Sequence, residues 1–337
     1  TDEQDSTMYH ASQKIYMDGD CEKAIPGFNK YLREFPNGIF TLNARYYLAD
    51  CLYRRGDKDA AAKHYKIIAD TSFTRFQEKS VLRLADIYYN DKAFEEALTY
   101  YQKLKDLADY KKNILEARKY IMRCYFKLNE PRKAIAASKS LMETDKVSDE
   151  WVNEAYMTIG KSALAIDSTS TAKSALSYLT GNLQNELAVE AKYLIAEIEY
   201  NEGDLKEAEN LLFEIINQVP SYDYWIGKSF ILIADIYLQR DNVAQAKATL
   251  NSIIDNYRID VKSDRPNLVE IGKKKLNQIL KREAEINKAT GSDEEENMEL
   301  DYSDEQGSEL FETELFPDTT KQEQTAPDSL KTKDELK

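Results

Sequence analysis

Imidazole and thiol are scarce in this chain: two histidines and three cysteines among 337 residues. His10 and His64 each lack a second ligand one helical turn away, so both are expected at the surface or in packing, not on a metal. Cys21, Cys51 and Cys124 show no metal-binding spacing either. No apolar run approaches the roughly 18 residues that a transmembrane helix needs. The first residue is Thr1 and no signal-peptide pattern follows, as expected of a processed protein or of a piece of a longer one. The tripeptide "GKS" occurs at Gly160 and Gly227, but the glycine that a phosphate-binding loop places five residues earlier is replaced by Ala155 and Tyr222. With 60 acidic residues, carboxylate pairs on helix faces are inevitable, and none marks a reaction centre. The chain is therefore expected to be no enzyme and to need no cofactor and no metal.

Charge is present but unevenly spread. From Gly291 to Lys337 there are 16 Asp or Glu and 4 Lys, net −12, which leaves a body with 44 acidic and 42 basic residues. A nearly neutral body has no field to hold a phosphate backbone, which argues against nucleic acid as a partner. The acidic segment from Thr290 lacks hydrophobic periodicity and cannot bury enough apolar surface to offset its chain entropy, so residues 290–337 are expected to be a disordered tail. Within it Leu310, Phe311, Leu315 and Phe316 form one apolar island, read either as a docking motif or as part of a solvated spacer. The letters KDEL at Lys333 to Leu336 are followed by Lys337, so they do not form a C-terminal retention signal.

What the chain has in abundance is repetition. Similar ten-residue stretches begin at Ala11, Leu48, Leu84, Ile121, Ile159, Ile195 and Ile233, at intervals of 37, 36, 37, 38, 36 and 38 residues. Such a period marks stacked supersecondary units. In the copy from Glu78 to Leu107, Val81, Leu84, Ala85 and Tyr88 share one helical face, and Phe94, Ala97, Leu98, Tyr101 and Leu104 form a second stripe. Between such stripes lie Gly19-Asp20, Gly56-Asp57, Asn90-Asp91, Asn129-Glu130, Gly203-Asp204 and Asp241-Asn242, expected to end one helix in a left-handed residue and cap the next. Alanine recurs at 24, 61, 97, 134, 172, 208 and 246, where two helices must approach closely. Cys51 and Cys124 occupy the repeat position of Ile87, Ile198 and Ile236, which predicts small buried fillers and leaves the redox compartment open. Pro26 should kink the second helix of the first copy. The fifth copy, with Ser and Thr at its turn, should pack irregularly.

Ala24 with Phe28 and Pro36, Ala61 with Tyr65, Ala97 with Tyr101, Ala208 with Leu212 and Pro220, and Ala246 with Leu250 resemble the tetratricopeptide repeat family over residues 6–258. The resemblance implies an all-α fold, a right-handed superhelical solenoid of about seven helix-turn-helix units over residues 1–258. A lone amphipathic segment over 259–289, with Pro266 near its start and a stripe through Leu268, Leu276, Ile279 and Leu280, is read as a capping helix. "EFPNGIFTLNARYYLADCLYRRGDKDAAAKHY" looks most like the variants in periplasmic and outer-membrane-assembly proteins of Gram-negative bacteria, which implies an envelope location.

In that family first helices line a concave groove, and its positions map here onto Tyr9, Tyr16, Tyr46, Tyr53, Tyr89, Phe126, Tyr193 and Tyr200, with Asp50, Asp86, Glu197 and Asp235 between them. The same tyrosines read equally well as packing aromatics. Lys119, Arg123 and Lys127 are spaced i, i+4, i+8, and Lys161 takes the matching face of the next copy. Lys119 and Arg123 are similar to two residues of the family's carboxylate clamp, although Asp86 stands where the clamp has Asn. These four cations are either a solvated face or a seat for an acidic peptide, this chain's own tail among the candidates. The function so implied is a non-catalytic scaffold for another protein or peptide, with a carbohydrate-active helical-hairpin enzyme and an RNA-reading repeat as alternatives.

Overall fold

One turn, repeated seven times, organises the chain. The structure is a computed structural model and describes residues 2–71, 74–258 and 264–290; the regular elements among these residues are fifteen helices and no strand. They pair in chain order: α1 (Asp2–Met17) with α2 (Cys21–Glu34), α3 (Thr41–Arg55) with α4 (Lys58–Ala69), α5 (Gln77–Asn90) with α6 (Phe94–Leu107), and α7 (Lys111–Lys127) with α8 (Pro131–Met142). After them come α9 (Asp149–Leu164) with α10 (Thr169–Asn182), then α11 (Glu186–Glu202) and α12 (Leu205–Asn217), α13 (Asp223–Gln239) with α14 (Val243–Asn256), and finally α15 (Leu268–Thr290).

Each first helix ends in a left-handed residue: Gly19, Gly56, Lys92, Asn129, Asp167, Gly203 and Asp241, with φ from 55 to 92°. The N–H that follows donates to the carbonyl five residues back, Asp20 to Ile15 at 3.2 Å, Asp57 to Leu52 at 2.9 Å, Ala93 to Tyr88 at 2.9 Å, Glu130 to Tyr125 at 2.9 Å, Ser168 to Ala163 at 2.8 Å, Asp204 to Glu199 at 2.9 Å and Asn242 to Tyr237 at 2.8 Å. This bond satisfies a carbonyl that the helix end would otherwise leave open. Asp20, Asp57, Asp204 and Asn242 then accept from the N–H of Lys23, Ala60, Glu207 and Gln245, at 3.0, 3.3, 3.1 and 3.2 Å. These are the capping roles expected of them.

Three expectations about turns are corrected. Glu130, expected to cap α8, makes no side-chain capping bond to that helix, which begins at Pro131. Asn90 is still helical, and Lys92 takes the left-handed position while Ala93 precedes α6 without a capping side chain. The turn is placed by the buried alanine of the following helix, Ala97, and not by the Asn-Asp pair. The fifth hairpin is regular, because Asp167 adopts positive φ as readily as Asn does.

The close approach of the two helices rests on alanine. Ala24, Ala61, Ala97, Ala134, Ala172, Ala208 and Ala246 are all fully buried. Four residues on, Phe28, Tyr65, Tyr101, Leu176, Leu212 and Leu250 fill the seam, with Ser138 at the remaining position, its hydroxyl donating to Ala134 O at 2.8 Å. Of the glycines of "GKS", Gly160 serves the same approach, a Cβ on it falling 2.6 Å from Leu176 of α10, while Gly227 makes room for α15, where a Cβ would fall 2.7 Å from Leu268. α2 continues through Pro26 to Glu34.

Cys21 at the start of α2 is disulfide-bonded to Cys51 within α3, their Cα atoms 5.1 Å apart. Cys51 is thus not a simple filler: besides occupying the seam it cross-links the first two hairpins. Cys124 is the buried filler expected, and burial pushes its thiol pKa up to about 12.

The chain divides into two compact units after Ile198, near the end of α11. In the second unit α15 packs against α14, seating Leu276 and Ile279 beside Ala234, Ala246 and Leu250. Lys275 bonds both carboxylate oxygens of Asp235 at 2.7 and 2.8 Å, and Lys247 bonds Glu283 at 2.9 Å. Asn267 caps α15, accepting from Val269 N at 3.0 Å. Leu280, placed on the inner stripe from the sequence, is 46% exposed, one position off the buried line of the helix. Residues 291–337, with Leu310, Phe311, Leu315 and Phe316, lie outside the described residues.

Candidate functional site

The tyrosines mapped to the groove separate into two kinds. Tyr9 and Tyr193 are 1% and 3% exposed and belong to the core, which corrects their assignment to a binding surface. Tyr9 stacks on Phe40 with ring centroids 4.3 Å apart and receives a hydrogen bond from Asn43, because α1 is covered by the chain entering α3. Tyr16, Tyr46, Tyr53, Tyr89 and Tyr200 are half-buried. Tyr46 stacks on Phe76 at 4.3 Å, and the Arg83 guanidinium lies 5.1 Å from the Tyr53 ring.

The carboxylates mapped between them are largely engaged within the protein. Asp50 accepts from the Tyr16 hydroxyl at 2.9 Å and pairs with Arg54 at 2.7 Å. Burial and this carboxylate raise the Tyr16 pKa well above its ordinary value. Asp86 accepts from the Tyr101 hydroxyl at 2.7 Å, and burial raises its own pKa. Asp235 holds Lys275, as described above. Glu197 is half-buried on α11.

The basic row is not a row of free charges. Lys119 is 7% exposed, bonds Glu116 at 3.0 Å and sits 4.1 Å from the Trp151 ring centroid. Arg123 forms a two-pronged bond to Glu154, Nε to Oε1 at 2.5 Å and Nη2 to Oε2 at 2.6 Å, which holds its pKa above the ordinary value. Lys161 pairs with Glu190 at 2.5 Å. A carboxylate arriving at Arg123, whether from a partner or from this chain's tail, would have to displace Glu154. Lys127 is exposed and has no ion-pair partner among the described residues.

The structure does bring five of the mapped residues together. Tyr89 of α5, Arg123, Phe126 and Lys127 of α7, and Lys161 of α9 line one open cleft of about 370 Å³. Glu150, Glu154, Met157 and Thr158 of α9 and Leu187 of α11 complete it. The site thus combines an apolar wall of Tyr89, Phe126, Met157 and Leu187 with fixed charges of both signs. Phe126 is 37% exposed, while the tyrosines mapped to the groove are half-buried or buried. Nothing here supplies a nucleophile with a base beside it, and no group of His, Cys, Asp and Glu among the described residues could hold a metal ion. The arrangement suits recognition: apolar contact for a side chain, and hydrogen-bonding charges for a backbone.

Glu154, Glu190, Glu150, Met157, Thr158 and Leu187 were missed from the sequence. A signal for two of them was present. Arg123 and Lys161 stand two residues after their ten-residue frames begin, and Glu154 and Glu190 five residues before the next frames begin, so one inter-repeat offset yields both pairs. The other four follow from where α9 and α11 pack.

Models of the tetratricopeptide repeat match residues 18–72, and residues 79–108 and 224–258, so these stretches are tetratricopeptide repeats. No curated protein matches the chain. Among solved structures, the C-terminal part of a repeat-containing protein from Cytophaga hutchinsonii is 15% identical, with 76% of this chain and 96% of that one covered at a TM-score of 0.52; it shares the fold. A tetratricopeptide repeat protein from Parabacteroides merdae is 14% identical, covering 82% of this chain and 99% of its own at a TM-score of 0.41. YrrB, described as having an unusual peptide-binding site, is 18% identical, covering 63% of this chain and 99% of its own at 0.44.

Proposed function

We propose that this tetratricopeptide-repeat chain is a non-catalytic scaffold that seats a peptide or protein segment in the cleft between α5, α7, α9 and α11, and that it works in a bacterial cell envelope. The observation that carries the reading is the convergence of Tyr89, Arg123, Phe126, Lys127 and Lys161 on one open cleft whose wall is apolar and whose charged side chains come from two facing helices, α7 and α9. A pocket with an apolar lining and a few placed polar groups is what a bound side chain requires. Aromatic area with little rotamer freedom contributes most per residue at such surfaces. The Cys21–Cys51 bond supports the location, since disulfides persist in oxidising compartments outside the cytosol.

A photo-reactive phenylalanine analogue placed at Phe126 in cells tests the binding site, with Ile67, exposed on α4, as the comparison position. The expected result is a discrete cross-linked protein from position 126 that is lost on Tyr89→Ala. Equal cross-linking at both positions, or none at 126, would overturn the assignment. In the same cells Cys21 and Cys51 should resist a permeant maleimide until reductant is added. Labelling without reductant would sink the envelope location.

A further inference from the structure

A second cleft lies on the opposite face of α7. Arg118, Ile121 and Tyr125 of α7 form its floor, Gln102 and Lys105 of α6 one wall, and Lys133, Ala136, Ala137 and Ser140 of α8 the other, enclosing about 300 Å³. Its charge differs in kind from that of the first. Where the cleft at Arg123 includes Glu150 and Glu154, this one is lined by three cations and no carboxylate.

Arg118 is the centre of that imbalance. Its Nη1 donates to Ser140 O at 3.0 Å and to Thr144 Oγ1 at 2.7 Å, both neutral, and no carboxylate lies within ion-pair reach of it among the described residues. Its Nε is buried and has no acceptor. A buried guanidinium N–H without a partner is costly, and an anion is the partner that such a group takes best. The hydroxyl of Tyr125 accepts from Gln102 Nε2 at 2.9 Å, which leaves its own proton to donate. The ion pairs of Lys105 and Lys133 are with exposed neighbours on their own stretches of chain, Asp106 at 3.3 Å and Glu130 at 3.4 Å, and such pairs are weak; the Lys133 ammonium also lies 5.8 Å from the Tyr125 ring centroid. Ala136 and Ala137 open the space that larger side chains would fill.

We propose that the α6–α7–α8 cleft is an anion-binding site that takes a carboxylate or phosphate group of a ligand between Arg118, Lys105, Lys133 and the Tyr125 hydroxyl. It lies on the far side of α7 from the peptide cleft and does not depend on that assignment. The chain thereby presents two chemically distinct faces on one helix, one lined by charges of both signs and one by cations alone.

Nitrogen–proton correlation spectra of the intact chain, with separate titrations of inorganic phosphate and of a peptide spanning residues 300–316, test the site. The expected result is a saturable shift of the Arg118 Nε–H signal and of the Gln102 side-chain amide with at least one of the two. Saturation by phosphate alone identifies a phosphate-bearing ligand, and saturation by the peptide a carboxylate-bearing one. Lys105→Gln combined with Lys133→Gln removes two exposed charges without touching the core and should weaken binding about tenfold or more, while Lys66→Gln, on exposed α4 surface, should not change it. Linear, unsaturated shifts with both probes, or equal affinity in the double variant, would overturn the proposal.

Discussion

At the scale of single residues, Asp86 shows how a groove position can be turned inward. Its carboxylate is held by the Tyr101 hydroxyl, and burial raises its pKa, an effect that Glu116 reinforces and that the hydrogen bond, Arg83 and Lys119 only partly offset. A raised carboxylate pKa in the folded state means that the native protein binds the proton more tightly than the unfolded chain. Stability from this group is therefore greatest below the ordinary carboxylate range, and is lost as pH rises from there through the raised folded value. Asp86→Asn retains an oxygen for Tyr101 and removes the penalty. We expect the variant to melt higher than the parent at pH 7, and the difference to shrink as the solution is taken below about pH 4. A difference that does not change with pH would show that the carboxylate is not strained by burial. Residue identity alone could not reveal this, since the frame that maps Asp86 to the groove says nothing about what α6 lays across it.

At the scale of elements, the hairpin is the unit that the amino-acid order specifies most completely. Seven left-handed residues recur at the spacing of the ten-residue frames, and three of them are glycine. The glycines, the Asp caps and the buried alanines could all be read in advance. Lys92 could not, because nothing in its chemistry favours positive φ, and only the requirement that Ala97 meet the seam places it there. A side chain in that region costs about 1 kcal/mol. Lys92→Gly should therefore stabilise the protein by about 0.5–1 kcal/mol even after the looser unfolded chain is counted, measurable as a higher urea midpoint. Lys66→Gly within α4 should cost about 1 kcal/mol and serves as the contrast. If both substitutions destabilise, the hairpin turn is not strained at Lys92.

At the scale of the molecule, linkage between hairpins is what individual repeats leave open. Cys21 and Cys51 are 30 residues apart in sequence, and their bond joins the first two hairpins. Closing a loop of that length stabilises by about 3.6 kcal/mol, chiefly by restricting the unfolded chain. Trp151 lies in the unit ending at Ile198 and Trp225 in the other, so each has its own fluorescent reporter. Reductant should lower the urea midpoint seen through Trp151, and an unchanged midpoint would mean that the bond is not holding that unit together. Period, helix faces, the glycine turns and the fully buried alanines were all legible in the order of residues, because each depends on neighbours within one hairpin, where spacing along the chain is spacing in space. The cysteine pairing, the ion pairs that neutralise Arg123 and Lys161, the burial of Tyr9 and Tyr193 and the two clefts on α7 were settled by packing between hairpins. There, residues about thirty positions apart become neighbours, and whether a charge is free or a ring is covered depends on what the next helix brings against it.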